Sequence, residues 1–241
     1  MSGHSKWATT KRQKFATDAK RSNLFTRLAK NIALAAKEGG GDPEMNFKLR
    51  IAIDKAKEGN MPKDNIEKAV KRGTGEGGGA AYEEIFYEGF GPAGSAFIIQ
   101  VVTDNKNRAA SEIKHIFSTN GGSLGSSNSV SWMFDKVGGI KATAADSRPK
   151  EDVELNAIDA GAIDFEWLDE KTIWIYTEPS GLQKVKTALE ISGLVVSDSE
   201  LGYKPKESLL VEDDIRPAME RMYDALDEAE DVQNFWSNMA V

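Results

Sequence analysis

The chain has 241 residues, 40% of them apolar, no cysteine, and a formal net charge of −7. Without cysteine it can form no disulfide, thiolate metal site, iron–sulfur cluster or thiol nucleophile, and a reducing cytoplasm suits it. Its length accommodates one to three domains. No run reaches the roughly eighteen apolar residues that a membrane-spanning helix needs.

The net charge conceals a segregation along the chain. Residues 1–75 hold 17 basic and 8 acidic side chains, a balance of +9, whereas residues 76–241 hold 14 and 30, a balance of −16. Such asymmetry points to a polyanionic partner held by one end only, since the acidic remainder repels phosphate.

The first stretch, GHSKWATTKRQK over residues 3–14, places Lys6, Lys11, Arg12 and Lys14 ahead of the first acid, Asp18. Each cation can neutralise a phosphate and release a counterion, a contribution that needs no base sequence. Trp7 lies among them, and two readings stand open: it stacks on an unpaired base, worth about 1–3 kcal/mol, or it folds back over a helical core. His4 either bonds a phosphate oxygen or belongs to a disordered terminus. A basic, acid-poor start is also the composition of a mitochondrial transit peptide. Ser2 stands where N-myristoylation requires glycine.

Beyond the arm, NLFTRLAKNIALAAKEGGG reads as an amphipathic helix with Phe25, Leu28, Ala29, Ile32 and Ala36 on one face. Lys20, Arg27, Lys30 and Lys37 fall nearly opposite, which predicts a cationic stripe on the solvent side. Gly39 to Gly41 end this helix, and Asp42-Pro43-Glu44 supplies a cap, a first-position Pro and a first-turn acid for the next. That second helix carries Met45, Leu49, Ala52, Ile53 and Ala56 and stops at Gly59-Asn60. The third, KDNIEKAVKRG, packs Ile66, Ala69 and Val70 and ends with Lys71-Arg72, as the helix dipole favours. Isolated helices of this length are marginal, so the three need mutual burial and form a basic helical domain over residues 1–80.

GTGEGGGAA over residues 73–81 is a glycine-rich break and the best domain boundary. Its Gly73, Gly75 and Gly78 make a formal G-x-G-x-x-G. A helix precedes and a strand follows, the reverse of a dinucleotide-binding context, so it reads as a linker. Strands follow at YEEIFYEGFG and SAFIIQVVTD, then a helix over NKNRAASEIKHIFSTNGG with Ala109, Ile113, Ile116 and Phe117 inward, then a strand at SVSWMF. Residues 135–205 next give strand (GGIKAT), helix, two strands, helix and strand (LVVSDSEL), the βαββαβ order that lays helices on one face of an antiparallel sheet. A last helix in VEDDIRPAMERMYDALDEA and a DVQNFW strand close the chain. The expectation is an α+β fold: an N-terminal three-helix domain, then two ferredoxin-like α+β domains, residues 81–134 with 206–241 and the inserted residues 135–205.

Catalytic signatures are scarce. Two histidines, His4 and His115, allow neither H-E-x-x-H nor a His triad, and no G-x-S-x-G elbow or Walker loop occurs. His115 sits with Glu112, Arg108 and Asn107 away from the apolar face of its helix and reads as solvent-facing. The acids Glu212-Asp213-Asp214 and Asp224, Asp227, Glu228, Glu230 and Asp231 read as a solvated helix face, with a metal-dependent enzyme as the alternative. No catalytic residue, metal ligand or cofactor is assigned.

GHSKWA, DAKRSNLFTRL, GGGDPEMNFKLRIAIDKAKEGNMPKDNIEKAVKRGTGE, YEGFGPAG, TDNKNRAASEIKHIFSTNGG and SVSWMF strongly resemble the YebC/PmpR family, whose mitochondrial relative is the translational activator of cytochrome c oxidase subunit I. The resemblance runs from residue 2 to the C-terminus and is most specific over the first 134 residues. It implies three domains, the third inserted into the second, and a role as a DNA-binding transcriptional regulator or a translation factor acting at the ribosome on proline-rich nascent chains. A match beginning at Gly3 implies the bacterial cytosolic form. Where many members carry an Asn-Ile-Lys-His-Arg-Lys type cluster, this chain has Thr9-Thr10-Lys11-Arg12-Gln13-Lys14, which keeps the charge and loses a histidine.

The expected function is non-enzymatic binding of nucleic acid, promoter DNA or ribosomal RNA, by His4, Lys6, Trp7, Lys11, Arg12, Lys14, Lys20, Arg21, Arg27 and Lys30. No helix-turn-helix signature with a base-reading helix is present, and a Lys/Arg/Trp arm suits irregular RNA, which favours RNA and the ribosome slightly. A scaffold that binds acidic protein is the further alternative.

Overall fold

The computed structural model describes residues 18–78, 81–144, 148–210 and 212–240. Three helices come first: α1 (Asp18–Gly39), α2 (Phe47–Glu58) and α3 (Lys63–Gly73). Ile32, Ala35 and Ala36 of α1 close a core with Leu49, Ala56, Met61, Ile66 and Ala69, and Phe25, Leu28, Ala52, Ile53 and Val70 line it. The helical spacing of these apolar residues is the reason all three helices meet on one side of α1.

The connection from α1 to α2 is organised by Asn46, which is buried. Its Oδ1 accepts from the Leu49 amide at 3.1 Å and caps α2, while its Nδ2 donates to the carbonyls of Ala35 and Gly40 at 2.8 Å each. One side chain therefore ends one helix and starts the next, satisfying groups that both termini leave open. Asp42-Pro43-Glu44, expected to open α2, forms a turn before it instead, and Met45, expected on the apolar face, is 85% exposed. Gly40 adopts φ 85°, the left-handed conformation that this helix exit requires.

The first sheet contains β1 (Glu83–Phe90) and β2 (Ala96–Thr103), followed by α4 (Lys106–Thr119) and the short β3 (Ser123–Leu124). The chain then builds β4 (Phe134–Ala144), α5 (Lys150–Ala160), β5 (Asp164–Trp167), β6 (Thr172–Thr177), α6 (Leu182–Ile191), β7 (Leu194–Pro205) and β8 (Leu209–Leu210). It returns with α7 (Arg216–Glu228), β9 (Val232–Ser237) and β10 (Met239–Ala240). The fold is α+β, N-terminal helices followed by two four-stranded antiparallel sheets, ordered β3-β1-β2-β9 and β5-β6-β4-β7, with a parallel β8-β10 pair.

Two compact units result. One takes the described residues up to 130 and residues 212–237; the other takes residues 131–210 and 238–240. In the first, Phe97 packs edge-on to Phe117 of α4 at 5.9 Å and against Tyr223 of α7 at 5.8 Å, and Tyr223 stacks on Phe235 at 5.4 Å. Both helices thus cover the same sheet face. Its chain order is ββαβ, then αβ after the excursion. In the second unit, Val153 and Ala157 of α5 and Val185 and Leu189 of α6 bury Ile140, Ala142, Ile173 and Ile175, and β4 to β7 follow the βαββαβ order.

Two local differences from the sequence reading have plain causes. SVSWMF is not a strand: Ser131–Met133 is a 3-10 turn, and Phe134 starts a strand that runs through Gly138-Gly139. Those glycines are sites of close approach within the sheet. A Cβ at Gly139 would stand 2.5 Å from the Trp174 ring, and one at Gly138 would press on Thr177 and Leu182. A similar constraint sits between helices, where a Cβ at Gly73 would strike the Ala33 carbonyl oxygen and come within 2.7 Å of the Ala36 Cβ.

Gly73→Ala is therefore expected to cost about 1–3 kcal/mol by overpacking, although alanine is the better helix former. A urea titration that found the variant as stable as the parent would contradict this packing.

Candidate nucleic-acid interface

His4, Lys6, Trp7, Lys11, Arg12 and Lys14 lie outside the described residues, and Lys20 and Arg21 fall within α1. Residues 1–21 hold six basic and one acidic side chain, so +5 of the +9 balance is concentrated there.

Of the remaining cations of the predicted stripe, Arg27 and Lys30 turn away from solvent, while Lys37 stays exposed. Arg27 is largely buried, and its guanidinium hydrogen-bonds the Asp227 carboxylate at 3.4 Å and the carbonyls of Asp227 and Ala229. Lys30 is 2% exposed, with its Nζ 2.6 Å from Asp231 Oδ1 and 3.0 Å from the Glu230 carbonyl. Asn23 donates to the Glu228 carbonyl at 3.3 Å, and Lys37 to the Tyr82 carbonyl at 2.9 Å. The stripe is a docking face. Amphipathicity alone could not reveal this, because α1 is covered on both sides: Ala33 and Leu34 continue the packing onto Tyr82 and Val102.

The chemistry of α7 explains why this face is cationic. The helix ends at Ala229 with ψ 124°, without the left-handed glycine that usually satisfies terminal carbonyls. Carbonyls from Asp227 to Glu230 accept instead from Arg27, Asn23 and Lys30, and positive charge at this end suits the helix dipole.

Asp231 anchors the arrangement. Its second oxygen accepts from Arg108 at 2.9 Å and from Thr103 Oγ1 at 3.0 Å, so a 2% exposed carboxylate is fully partnered. Burial pushes its pKa up, but the hydrogen bonds from Lys30, Arg108 and Thr103 outweigh this and hold it below the usual carboxylate value. Nearby Glu112 is shifted upward, chiefly by burial and then by the Asp231 charge. Arg72 lies over the Tyr82 ring at 4.1 Å and pairs with Asp104 at 3.2 Å, tying α3 to the same sheet.

The acidic C-terminal residues are thereby accounted for in part. Asp227 and Asp231 serve α1, and Asp213 pairs with Arg216 at 3.2 Å. Among the described residues, no group of three or more His, Asp or Glu side chains is arranged to hold a metal ion, and no helix is long and apolar enough to cross a membrane. His115 is exposed on α4.

Which cations of the helical region remain open to a ligand follows by subtraction. Lys48, Lys57 and Lys63 pair with Glu38, Asp54 and Glu67. Arg50, Lys68 and Lys71 are exposed and have no carboxylate partner among the described residues. Spacing could not single them out, because Asp64 precedes Lys68, and Glu67 precedes Lys71, by the four residues that ordinarily favour pairing.

These features define a class: an α+β protein whose basic helical region is clamped to its first sheet and whose second sheet unit interrupts the first. Residues 5–76 match the family model for the TACO1/YebC protein N-terminal domain, and residues 82–239 that for the TACO1/YebC second and third domain. The chain belongs to the TACO1/YebC family. A relative from Caldanaerobacter subterraneus subsp. tengcongensis, named a probable transcriptional regulatory protein, is 50% identical over 239 residues, covering 99% of this chain and 98% of its own. One of the same description from Chlorobaculum tepidum is 48% identical over 241 residues, covering 99% and 95%. The crystal structure of a conserved hypothetical protein from Aquifex aeolicus superimposes with a TM-score of 0.88 at 38% identity, covering 98% of this chain and 96% of that one.

Removing one partner of a buried ion pair strands the other, so Lys30→Ala is expected to cost about 3–5 kcal/mol in urea unfolding at neutral pH. The pH dependence has a definite sign. Because the folded pKa of Asp231 lies below its unfolded value, its contribution is present above about pH 4 and fades as the pH falls through the folded value. Asp231→Asn should remove that part of the acid limb, and a limb of unchanged steepness below about pH 4 would contradict the assignment.

Proposed function

We propose that this protein is a non-enzymatic regulator of gene expression that grips nucleic acid through its N-terminal region. The observation that carries the reading is the segregation of charge: +9 in residues 1–75 against −16 in the rest, with +5 within residues 1–21. The transcriptional-regulator names of the relatives support a role in gene control. The grip is assigned to Lys6, Lys11, Arg12 and Lys14, with His4, Trp7, Lys20 and Arg21 beside them. Arg27 and Lys30 are engaged by the α7–β9 segment and are left out of it.

An arm of this composition reads phosphate rather than base edges. Its partner is therefore selected by shape and by access to unpaired bases, which favours folded RNA, including ribosomal RNA, over promoter duplex. The acidic remainder of the chain adds a repulsive field that confines polyanion to one end. It also suits association with basic proteins such as those of a ribosome.

Replacing Lys11, Arg12 and Lys14 together by alanine should weaken binding to unrelated RNA and DNA sequences alike and reduce the salt slope by about one for each phosphate no longer neutralised. Unchanged affinity and slope would remove the arm from the interface. Trp7→Ala should weaken binding to looped RNA by about 1–3 kcal/mol while sparing duplex DNA, whose bases offer no open face. Equal losses on both would assign Trp7 to the helical core.

A further inference from the structure

We infer that Phe47 and Arg50, one turn apart on α2, form a stacking platform for an unpaired base of single-stranded nucleic acid, a second point of attachment separate from the arm. The inference rests on the nucleic-acid reading above and names where else on the surface that ligand is held.

Phe47 is 46% exposed on the first turn of α2, and the Arg50 guanidinium lies 5.6 Å from its ring centroid. In a helix that packs its other face into a core, an aromatic ring left half in water forgoes much of the stabilisation that burying it would bring. A large apolar residue exposed beside a guanidinium without a carboxylate is the composition of a base-stacking surface, in which the ring takes a base face and the cation an adjacent phosphate. Met45, 85% exposed two residues earlier, extends the apolar surface.

Arg50 makes the argument specific. Neighbouring cations of the helical region are neutralised by Glu38, Asp54 and Glu67, yet Arg50 has no carboxylate partner among the described residues and its guanidinium lies against the ring. An acidic side chain would engage the guanidinium and leave the ring unused, whereas a polynucleotide offers phosphate and a π-face together. Charge complementarity with the +9 region therefore commits the platform to nucleic acid.

In the chain, α1 lies between the platform and the arm. Helix α1 has 22 residues and is about 33 Å long at 1.5 Å per residue. The arm precedes its first residue, and the platform follows its last by way of the Gly40 exit and the Asn46 cap. The stretch between is rigid, because α1 is packed on one side by α2 and α3 and held on the other by Arg27 and Lys30.

The test uses the full chain, an unpaired uridine oligomer of about 20 nucleotides, longer than a single stacking groove occupies, and a duplex of equal length. Phe47→Ala should weaken binding to the oligomer at least about fivefold, with an unchanged salt slope and unchanged duplex affinity. Phe47→Trp should restore binding, whereas Phe47→Leu, which keeps apolar volume without a π-face, should not. Arg50→Ala should lower the slope by about one. Wild-type affinity in Phe47→Ala, equal losses on oligomer and duplex, or full rescue by leucine would each overturn the platform. If the wild type binds neither probe, the nucleic-acid reading fails with it. If only the Lys11, Arg12 and Lys14 variant loses binding, the arm stands and the platform alone is refuted.

Discussion

The buried ion pair between Lys30 and Asp231 is the constraint on which the arrangement of the first compact unit depends. Two opposite charges 2.6 Å apart, each almost fully removed from water, are tolerable only when every remaining donor and acceptor is satisfied. Glu230 supplies a carbonyl to Lys30, while Arg108 and Thr103 complete Asp231. The pair joins residues 201 positions apart, and the Val102 amide donating to the Asp231 carbonyl at 2.9 Å fixes the same turn to the sheet. A hydrophobic interface could slide by a fraction of a side chain at little cost. A network of directional bonds in a low-dielectric setting cannot, so its main effect is to specify one register of helix against sheet.

The same network explains what was and was not legible in the sequence. Periodicity located α1 to α3 and, apart from the two-residue β3 and the misassigned SVSWMF stretch, the strands of both sheets with the apolar residues that bury them, because those signals are local. Charge counting found the polarity of the chain for the same reason. The destination of Arg27 and Lys30 was not legible: a cation opposite an apolar face is normally solvated, and only the return of α7 and β9 after the interruption by residues 131–210 shows otherwise. Asn46 was hidden in a similar way. Asp42-Pro43 carries a stronger helix-start signal, and Asn46 prevails because its amide also reaches the end of α1.

The acidic cluster near the C-terminus illustrates how one composition serves two ends. As sequence, clustered carboxylates suggest a metal site as readily as a solvated face. In the fold, Asp231 is buried against α1, the half-exposed Asp227 pairs with Arg27 and Asp213 pairs with Arg216, so these carboxylates are already hydrogen-bonded or ion-paired before any ligand arrives. Drawing Asp231 away to coordinate a cation would leave Lys30 and Arg108 without their shared anion, at the cost of an uncompensated buried charge. The carboxylates are thus better understood as the counter-charge of the helical region.

That counter-charge bears on the proposed binding of a polyanion by a chain of net charge −7. Pairing Arg27 and Lys30 internally removes them from the outer field but also neutralises the acids nearest to α1. In the helical region, Arg50 of α2 and Lys68 and Lys71 of α3 are exposed without a carboxylate partner among the described residues. Exposed charges farther apart than about 8–10 Å are largely screened at physiological salt, so the field at a bound phosphate is set by the charges within that range and not by the net charge of the chain. Local segregation of charge, to which the clamp contributes by neutralising Asp227 and Asp231, is what the proposed binding asks of a chain whose overall sign is negative.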